Sequence, residues 1–294
     1  MPSRSPNCSE SPNCSESPSR SESPSRSESP SRSESPSRSE SPVLDALGAP
    51  AELDLTVVVP FFNPGPPLRS HVEGVLEVLD RSGASFEVLA VSDGCTDGSE
   101  QALQGLRGDR FDLVLLEPNQ GKGAALRAGL SRGRGRYLGF IDGDGDVDPV
   151  VLGTLWELAA SGEPDIVLAS KRHPLSSVHY PAARRLYSWG YQQLLALLFR
   201  LSVPDTQTGA KLAKRGVLAE VLPVMVERRF AFDLEMLVAA QKRGFESVVE
   251  APVTIRRRFS STISPFTVVR ILADTVAVFW RLRVRRAYDA PIPV

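Results

Sequence analysis

From residue 53 onward, short apolar segments alternate with segments in which apolar residues recur every three or four positions. The continuous apolar runs are typical of strands buried on both faces of a sheet. They lie at 55–62, 86–93, 111–117, 136–142 and 165–170. Helical spacing is found between them, at 68–79, 102–106 and 125–130. This alternation predicts an α/β fold with a doubly wound, largely parallel sheet.

Polar or conformationally special residues follow three of the predicted strands. Asn63 and Pro64 come after the first strand, Asp93 and Gly94 end the second, and four aspartates alternate along 142–148 after the fourth. In doubly wound sheets, ligands bind beyond the carboxyl ends of the strands. We therefore expect these three strand ends to face one crevice that contains the aspartates.

The spacing of the aspartates argues against a calcium loop. An EF-hand that began at Asp142 would need Gly at its sixth position and Glu at its twelfth, where the chain has Val147 and Gly153. Asp142 and Asp144 also form an Asp-x-Asp pair, whose carboxylates could hold Mg²⁺ or Mn²⁺ bridged to the phosphates of a nucleotide. A solvated acidic turn is the competing interpretation.

The glycine-rich segment at 117–130 is not a Walker phosphate loop. That loop would need Gly at position 116, where Leu116 stands, and Ser or Thr after Lys122, where Gly123 stands. The turn at Gly121 nevertheless precedes a predicted helix, so its backbone N–H groups and Lys122 could approach an anionic ligand. The alternative is a glycine-capped turn with a solvated lysine.

The N-terminal segment has a different character from the rest of the chain. Residues 5–40 form six hexads, two of SPNCSE and four of SPSRSE, with no residue suited to an apolar core. We expect residues 1–45 to be a disordered tail. The tail through residue 42 holds five Arg and six Glu, so the remainder carries 29 basic and 29 acidic residues. This balance argues against nucleic acid as a partner.

The positions of the cysteines and the lengths of the apolar runs indicate the cellular compartment. Cys8 and Cys14 lie in the tail and only Cys95 lies in the core sequence, which gives no disulfide framework and fits the cytoplasm. The apolar run at 194–199 is far shorter than the ~20 residues that span a bilayer. The sequence thus predicts a soluble or peripheral protein without an obvious transmembrane anchor.

The C-terminal segment, 256–294, is basic and amphipathic. Residues 256–286 contain eight Arg and one Asp among apolar positions. Two interpretations stay open for it and for residues 184–201: an interfacial helix on an anionic membrane, or a helix packed against the main domain.

Several ordered motifs together resemble the family 2 glycosyltransferases, which have the GT-A nucleotide-diphospho-sugar transferase fold with a Rossmann-like, doubly wound mixed sheet. The first four are VVVPFFN (57–63), AVSDGCTDGS (90–99), NQGKGAALRAGL (119–130) and FIDGDGD (140–146). ASKRHPLS (169–176), DTQTGAKLAKR (205–215) and RRFAFDLEML (228–237) are similar to the dolichyl-phosphate glucosyltransferase and polyprenyl-phosphate glycosyltransferase branch. The resemblance spans about 55–285 and implies a GT-A domain at 53–255.

The resemblance implies roles for matching residues. Nucleotide-sugar-binding positions are Pro60, Asn63, Asp93, Gly121, Lys122 and Asp142. Catalytic positions are Asp144, Asp233, Lys171 and Arg172, and acceptor-side positions are Gln207, Arg184 and Arg258. Asp142 and Asp144 would hold Mg²⁺ or Mn²⁺. The alternatives are structural: Asp93 caps the next turn, Lys171 and Arg172 are solvated, Gln207 satisfies loop backbone, and Asp233 caps its helix.

Two positions depart from the family pattern, and both concern contacts to the donor base. The family often has Asn-Glu where this chain has Asn63-Pro64, and paired aspartates where it has Ser92-Asp93.

The reaction implied by the resemblance is an inverting transfer of a hexose, foremost glucose from UDP-glucose, onto a polyprenyl or dolichyl phosphate. With a second pKa of ~6, a lipid monophosphate is mostly dianionic at neutral pH and needs no strong general base. Asp233 would then orient groups, and Lys171 and Arg172 would neutralise charge. The enzyme would lie peripherally on the cytoplasmic face of a membrane.

Three alternatives stay open: a GDP-mannose donor, a water-soluble acceptor, or a non-catalytic protein that binds sugar nucleotides and acts as a membrane scaffold.

Overall fold

The structure, a computed structural model, describes residues 47–106, 108–177, 182–201, 203, 205–255 and 265–289, and of 182–188 and 265–268 it describes the backbone. The predicted disordered tail and Arg258 lie outside the described residues.

One mixed sheet organises the described part of the chain. Its seven strands have the order β3-β2-β1-β4-β6-β5-β7. Their bounds are β1 Leu53–Phe61, β2 Phe86–Asp93, β3 Phe111–Leu116, β4 Gly135–Ile141, β5 Ile166–Ser170, β6 Ala210–Lys214 and β7 Val248–Pro252. Strand β6 runs antiparallel to β4 and β5, and the other neighbours are parallel. The predicted doubly wound mixed sheet is thereby confirmed, and so are the five strands predicted from apolar runs.

Helices cover both faces of the sheet. They are α1 Pro67–Arg81, α2 Ser99–Leu103, α3 Lys122–Leu130, α4 Val151–Gly162, α5 Ala182–Phe199, α6 Arg215–Val221, α7 Phe232–Lys242 and α8 Pro265–Arg283. Short 3₁₀ turns occupy Gln104–Leu106, Leu222–Val224 and Ala287–Asp289.

Alternate side chains of β1 pack into two separate cores on opposite faces of the sheet. Val57 and Val59 belong to the core beneath α1 and α4, whereas Val58 packs on the opposite side with residues of α3 and α7. All three side chains are fully buried. Because both faces of β1 are covered, the strand appears in the sequence as an uninterrupted apolar run.

The order of the strands reverses between β1 and β4. From β1 the chain builds outward through β2 to β3 on one side, and β4 then pairs on the other side. Ligands of doubly wound sheets bind beside this switch point. At the carboxyl ends of the two strands, the Gly143 N–H donates to the Pro60 carbonyl over 3.2 Å. Pro60, which was predicted to line the donor site, therefore lies at the switch point.

Helix α8 packs on the domain with one side and exposes the other. Tyr191 Oη of α5 lies 2.8 Å from Thr275 Oγ1, and the rings of Phe199 and Phe279 meet edge to face at 6.1 Å. The opposite side of α8 exposes apolar residues at helical spacing, namely Val269, Leu272, Val276 and Trp280. Among the described helices, none has the length and apolar character required to cross a membrane.

Candidate active site

Four charged side chains meet beyond the carboxyl end of β4, and we call them the charge cluster: Lys122, Asp142, Lys211 and Asp233. Lys122 Nζ lies 2.7 Å from Asp142 Oδ1 and 3.3 Å from Asp233 Oδ2. Lys211 Nζ lies 2.7 Å from Asp233 Oδ1 and donates to the Thr208 carbonyl over 2.6 Å. The cluster has no net charge when all four groups are ionised.

The antiparallel strand β6 explains why Lys211 takes part. Its first residues lie beside the end of β4, with Ala210 opposite Ile141 and Lys211 opposite Phe140. The ammonium groups of Lys122 and Lys211 lie 5.5 and 5.3 Å from the centre of the Phe140 ring. Lys211 was not predicted from the sequence, because a lysine within a short strand gives no indication of a buried partner.

Burial divides the charge cluster into an open and a closed half. The side chains of Lys122 and Asp142 are 22% and 27% exposed, whereas those of Lys211 and Asp233 are 1% and 4% exposed. A ligand in the crevice can therefore reach Lys122 and Asp142. The closed pair supports them from inside the protein.

The ionisation of the cluster follows from burial and pairing. Burial raises the pKa of Asp142, although Lys122 opposes the shift. Burial also acts to raise the pKa of Asp233, but Lys122 and Lys211 together hold that pKa below its usual range. Since both carboxylate oxygens of Asp233 contact ammonium groups, this residue is suited to orienting Lys122 more than to accepting a proton. The structure shows no helix-capping hydrogen bond from Asp233.

Asp93 holds the turn at residues 120–121, which precedes α3 and which we call the Asp93 turn. Its two carboxylate oxygens accept the backbone N–H groups of Gln120 and Gly121 over 2.8 and 2.9 Å. Gly121 has a φ of 101°, and a Cβ there would lie 2.5 Å from the Arg228 carbonyl oxygen, so glycine is required. Asp93 thus holds the turn before α3 and not the turn that directly follows Asp93, and its contact with a donor base stays a prediction.

Asn63 joins the ends of β1 and β2. With a φ of 47°, its N–H donates to Cys95 Sγ over 3.1 Å, and its side-chain oxygen accepts the Thr96 N–H over 2.8 Å. Asparagine tolerates this left-handed conformation better than most residues. The exposed side chain borders the crevice near the Asp93 turn.

Asp144 is the exposed member of the Asp-x-Asp pair. Its Oδ1 accepts the Asp146 N–H over 3.0 Å. Asp142 and Asp144 are close enough for the charge of Asp144 to raise the pKa of Asp142. Two carboxylates suit Mg²⁺ or Mn²⁺, since such ions keep water ligands and use substrate phosphates. The donor set fits the predicted metal.

Gly209 gives the Asp142 carboxylate its space. A Cβ at Gly209 would lie 2.0 Å from Asp142 Oδ2, and the Asp142 N–H donates to the Gly209 carbonyl over 2.8 Å. This glycine lies within DTQTGAKLAKR, and its role was not predicted from the sequence.

Asp205 joins the loop of the predicted catalytic residue Lys171 to the loop of the predicted acceptor-side residue Gln207. Its carboxylate accepts the Lys171 N–H over 2.8 Å, the Gln207 N–H over 3.2 Å and the Thr208 hydroxyl over 2.5 Å. The Gln207 side chain donates to Tyr191 Oη over 3.3 Å. The loop that carries Lys171 is thereby tied to the loop that carries Gln207. Asp205 was also not predicted from the sequence, although its position in DTQTG was an available signal.

Three further predicted cations are Arg172, assigned a catalytic role, and the acceptor-side residues Arg184 and Arg258. Arg172 is exposed at the loop after β5. It lines a cavity of about 240 Å³ between α5 and residues 201–206. Gln192 and Thr206 line the same cavity beside apolar groups such as Leu195 and Val203. Arg184 lies in α5, but its side chain is outside the described residues, as is all of Arg258.

Comparison with known proteins adds a family match. The model of the family described as "Glycosyl transferase family 2" matches residues 56–222. A "Dolichyl-phosphate beta-glucosyltransferase" of Saccharomyces cerevisiae is 25% identical over 224 residues, which cover 69% of this chain and 67% of the relative. The protein of that name from Drosophila melanogaster is 31% identical over 206 residues, covering 64% and 63%.

Two other similar proteins are a longer relative and a solved structure that shares the fold at low identity. "Glycosyltransferase AglD" of Haloferax volcanii is 27% identical over 245 residues, covering 82% of this chain but 39% of that relative. The crystal structure of glucosyl-3-phosphoglycerate synthase from Mycobacterium tuberculosis with Mn²⁺, UDP and phosphoglyceric acid has a TM-score of 0.61 at 19% identity and covers 81% of both chains. At that identity the likeness concerns the fold, and it confirms the predicted GT-A architecture.

Proposed function

The chain belongs to glycosyl transferase family 2, and we propose that it is an inverting hexosyltransferase that moves glucose from UDP-glucose onto a polyprenyl or dolichyl phosphate. The observation that carries the proposal is the charge cluster, in which Lys122 and Asp142 face the crevice at the switch point between β1 and β4. The Asp93 turn lies beside them.

The donor and acceptor classes are supported by the relatives. The proteins from S. cerevisiae and D. melanogaster, which align with about two thirds of this chain, are both named for β-glucosyl transfer to dolichyl phosphate. The family match covers 56–222 and so includes Asp93, Lys122 and Asp142.

Asp142 and Asp144 would hold Mg²⁺ or Mn²⁺ in the loaded enzyme. The ion would supply charge neutralisation for the departing diphosphate. Lys122 contributes a second positive charge at the same place, because its ammonium group lies against Asp142 and is held from behind by Asp233. Lys211 keeps Asp233 ionised in the interior and so fixes the direction of Lys122.

The acceptor phosphate acts as the nucleophile. An oxygen of the dianion forms a bond to the anomeric carbon, while the bond from that carbon to the diphosphate oxygen breaks and the nucleoside diphosphate leaves with the electron pair. No proton has to be removed from the acceptor. Lys171 and Arg172 would position its phosphate, and apolar groups of the cavity beside Arg172 would contact the adjoining prenyl unit.

A membrane surface is the proposed site of action. Helix α8 exposes Val276 and Trp280, and α5 exposes Trp189 and Leu197. Arginines follow on the surface at 283, 285 and 286. An apolar face beside basic residues suits a helix at an anionic interface. The free thiol of Cys95 suits the cytoplasmic side.

Transfer assays with the full chain test the proposal. Labelled UDP-glucose and GDP-mannose are each incubated with polyprenyl phosphate and Mn²⁺, for the wild type, Asp144→Asn and the matched control Asp146→Asn. We expect glucose transfer that is lost in Asp144→Asn and kept in Asp146→Asn. Transfer from GDP-mannose alone would replace the donor assignment, and nucleotide binding without turnover would favour a binding protein.

A further inference from the structure

The loop before α7, residues 225–231, is held by the side chains of Arg127 and Glu235. Arg127 of α3 donates to the Leu222 carbonyl and, over 2.7 Å, to the Met225 carbonyl. Glu235 Oε2 accepts the backbone N–H groups of Val226 and Glu227 over 3.0 and 2.7 Å. These contacts fix the backbone of the loop, which we call the α7 loop.

The α7 loop rests directly on the turn that precedes α3. The Arg228 carbonyl accepts the Ala124 N–H over 3.1 Å. A Cβ at Gly121 would lie 2.5 Å from the Arg228 oxygen, and one at Gly123 would lie 2.7 Å from the Arg228 carbonyl carbon. No side chain separates the two backbones there, so a displacement of Arg228 must displace the turn. The same turn contains the N–H groups bound by Asp93 and the ammonium of Lys122.

Glu235 also contacts two residues near the C-terminus, Arg281 and Tyr288. Its side chain is fully buried, and Oε1 accepts the Tyr288 hydroxyl over 2.7 Å and lies 2.9 Å from Arg281 Nε. Arg281 Nη2 in turn lies 3.0 Å from Glu227 Oε2 in the α7 loop. Arg281 belongs to α8 and Tyr288 to the 3₁₀ turn that follows, and we call residues 265–289 the C-terminal arm.

Because Glu235 is buried, its hydrogen bonds to the α7 loop depend on the presence of the C-terminal arm. A carboxylate removed from water is stable only when its charge and hydrogen-bonding capacity are met. One carboxylate oxygen of Glu235 accepts hydrogen bonds from the backbone of the α7 loop, and the other contacts Tyr288 and Arg281. Without the arm, Glu235 would have to turn toward water or draw new partners, and the loop would lose its hydrogen bonds.

We propose that Glu235 is a positioning residue that couples the C-terminal arm to the donor-binding turn. With the arm in place, Glu235 holds the α7 loop against Gly121–Ala124 and so keeps Lys122 and the Asp93 turn arranged for a nucleoside diphosphate sugar. The inference rests on the proposed function only in taking that turn as part of the donor site.

Two conservative variants of the full chain test the coupling. Tyr288→Phe keeps the ring and removes the hydroxyl that reaches Glu235, and Glu235→Gln keeps the shape and removes the charge. The matched control is Phe279→Leu, which weakens the packing of the same helix on Phe199 without touching Glu235. Hydrogen exchange of the ligand-free protein is measured at residues 120–124 and 226–228, and UDP binding is measured by calorimetry with Mn²⁺.

We expect exchange at 120–124 to speed up and UDP to bind roughly tenfold more weakly in both variants, the scale set by one hydrogen bond to a charged group. The KM for the donor should rise with little change in kcat. Phe279→Leu should lower the melting temperature at least as much, yet leave UDP binding unchanged. Arg281→Lys, which retains the charge, replaces Glu235→Gln if that variant does not fold.

Faster exchange confined to 265–289, with UDP affinity as in the wild type, would show that the arm only packs on the domain and would overturn the inference. The proposed function fails in a different way. If the wild type binds no UDP but exchange at 120–124 still responds to Tyr288→Phe, the coupling stands and the donor assignment is wrong.

Discussion

Lys211 and Asp233 form an ion pair in the interior of the protein, with 2.7 Å between Nζ and Oδ1 and side chains that are 1% and 4% exposed. The two residues lie 22 positions apart on β6 and α7, and the pair closes the inner half of the charge cluster. A buried pair of this kind contributes little net stability compared with an apolar pair, but removing one partner leaves an uncompensated charge.

Lys211→Met should therefore destabilise the protein by about 3–5 kcal/mol. The reason is that Asp233 stays buried with only Lys122 to neutralise it. Chemical denaturation measures the free energy of unfolding. The control is Lys214→Met on the same strand, whose contact with Asp165 is 3.8 Å long and partly exposed. Lys214→Met should lower the free energy of unfolding by less than about 1 kcal/mol. Equal decreases in the two variants would contradict the role given to the charge cluster.

Gly209→Ala should lower the transfer rate by about 100-fold, which is the scale of a misplacement of about 1 Å at a reacting site. The new methyl group would overlap Asp142 Oδ2 and force that carboxylate away from Lys122. Steady-state kinetics with UDP-glucose provide the measurement. Gly216→Ala serves as control, since Gly216 is exposed on α6 and nothing lies within 4 Å of the added Cβ. An unchanged rate in Gly209→Ala would count against the placement of Asp142.

Tyr137→Phe should change how stability depends on pH. The Tyr137 hydroxyl donates to the Pro164 carbonyl over 2.8 Å, and burial raises its pKa to about 12. The folded state therefore holds this proton more tightly than the unfolded state, whose tyrosine pKa is about 10. The stability from the hydroxyl is fully present below pH 10 and is lost as the pH rises toward 12.

Denaturation of the wild type and Tyr137→Phe from pH 7 to 11.5 checks this expectation. At pH 7 the variant should be less stable by roughly 1 kcal/mol, and the difference should shrink above pH 10. All other tyrosines titrate in both proteins and cancel in the comparison. A difference that stays constant across the range would refute the assignment.

The double variant Val276→Ser and Trp280→Ser should bind anionic vesicles roughly tenfold more weakly, equivalent to about 1.4 kcal/mol of lost apolar contact. Both side chains lie on the exposed face of α8. Vesicle co-sedimentation at low and high salt provides the measurement, and salt should weaken binding because arginines follow the helix. Leu115→Ser on edge strand β3 removes an equally exposed apolar group and should have no effect. Equal binding by all forms would remove α8 from the proposed membrane contact.

The family, the crevice and much of the candidate site follow from the sequence alone. Strands such as β1 and β4 are covered on both faces, so their apolar runs are continuous and their ends are marked by the polar residues that follow. Asp93 and Asp142 were predicted because each stands beside such an end, and Lys122 because it follows a glycine turn at the start of a helix. Local spacing is sufficient for residues whose position depends on one element.

Only the tertiary structure decided which distant groups complete the site. The insertion of β6 between β4 and β5 brings Lys211 and Gly209 to the end of β4, although some 70 residues separate the paired strands. Glu235 likewise acquires its role from Arg281 and Tyr288 at the far end of the chain. Strand order and helix docking are set by the packing of whole surfaces, which no local pattern records. A buried lysine or glutamate therefore becomes recognisable only beside the partner that neutralises it.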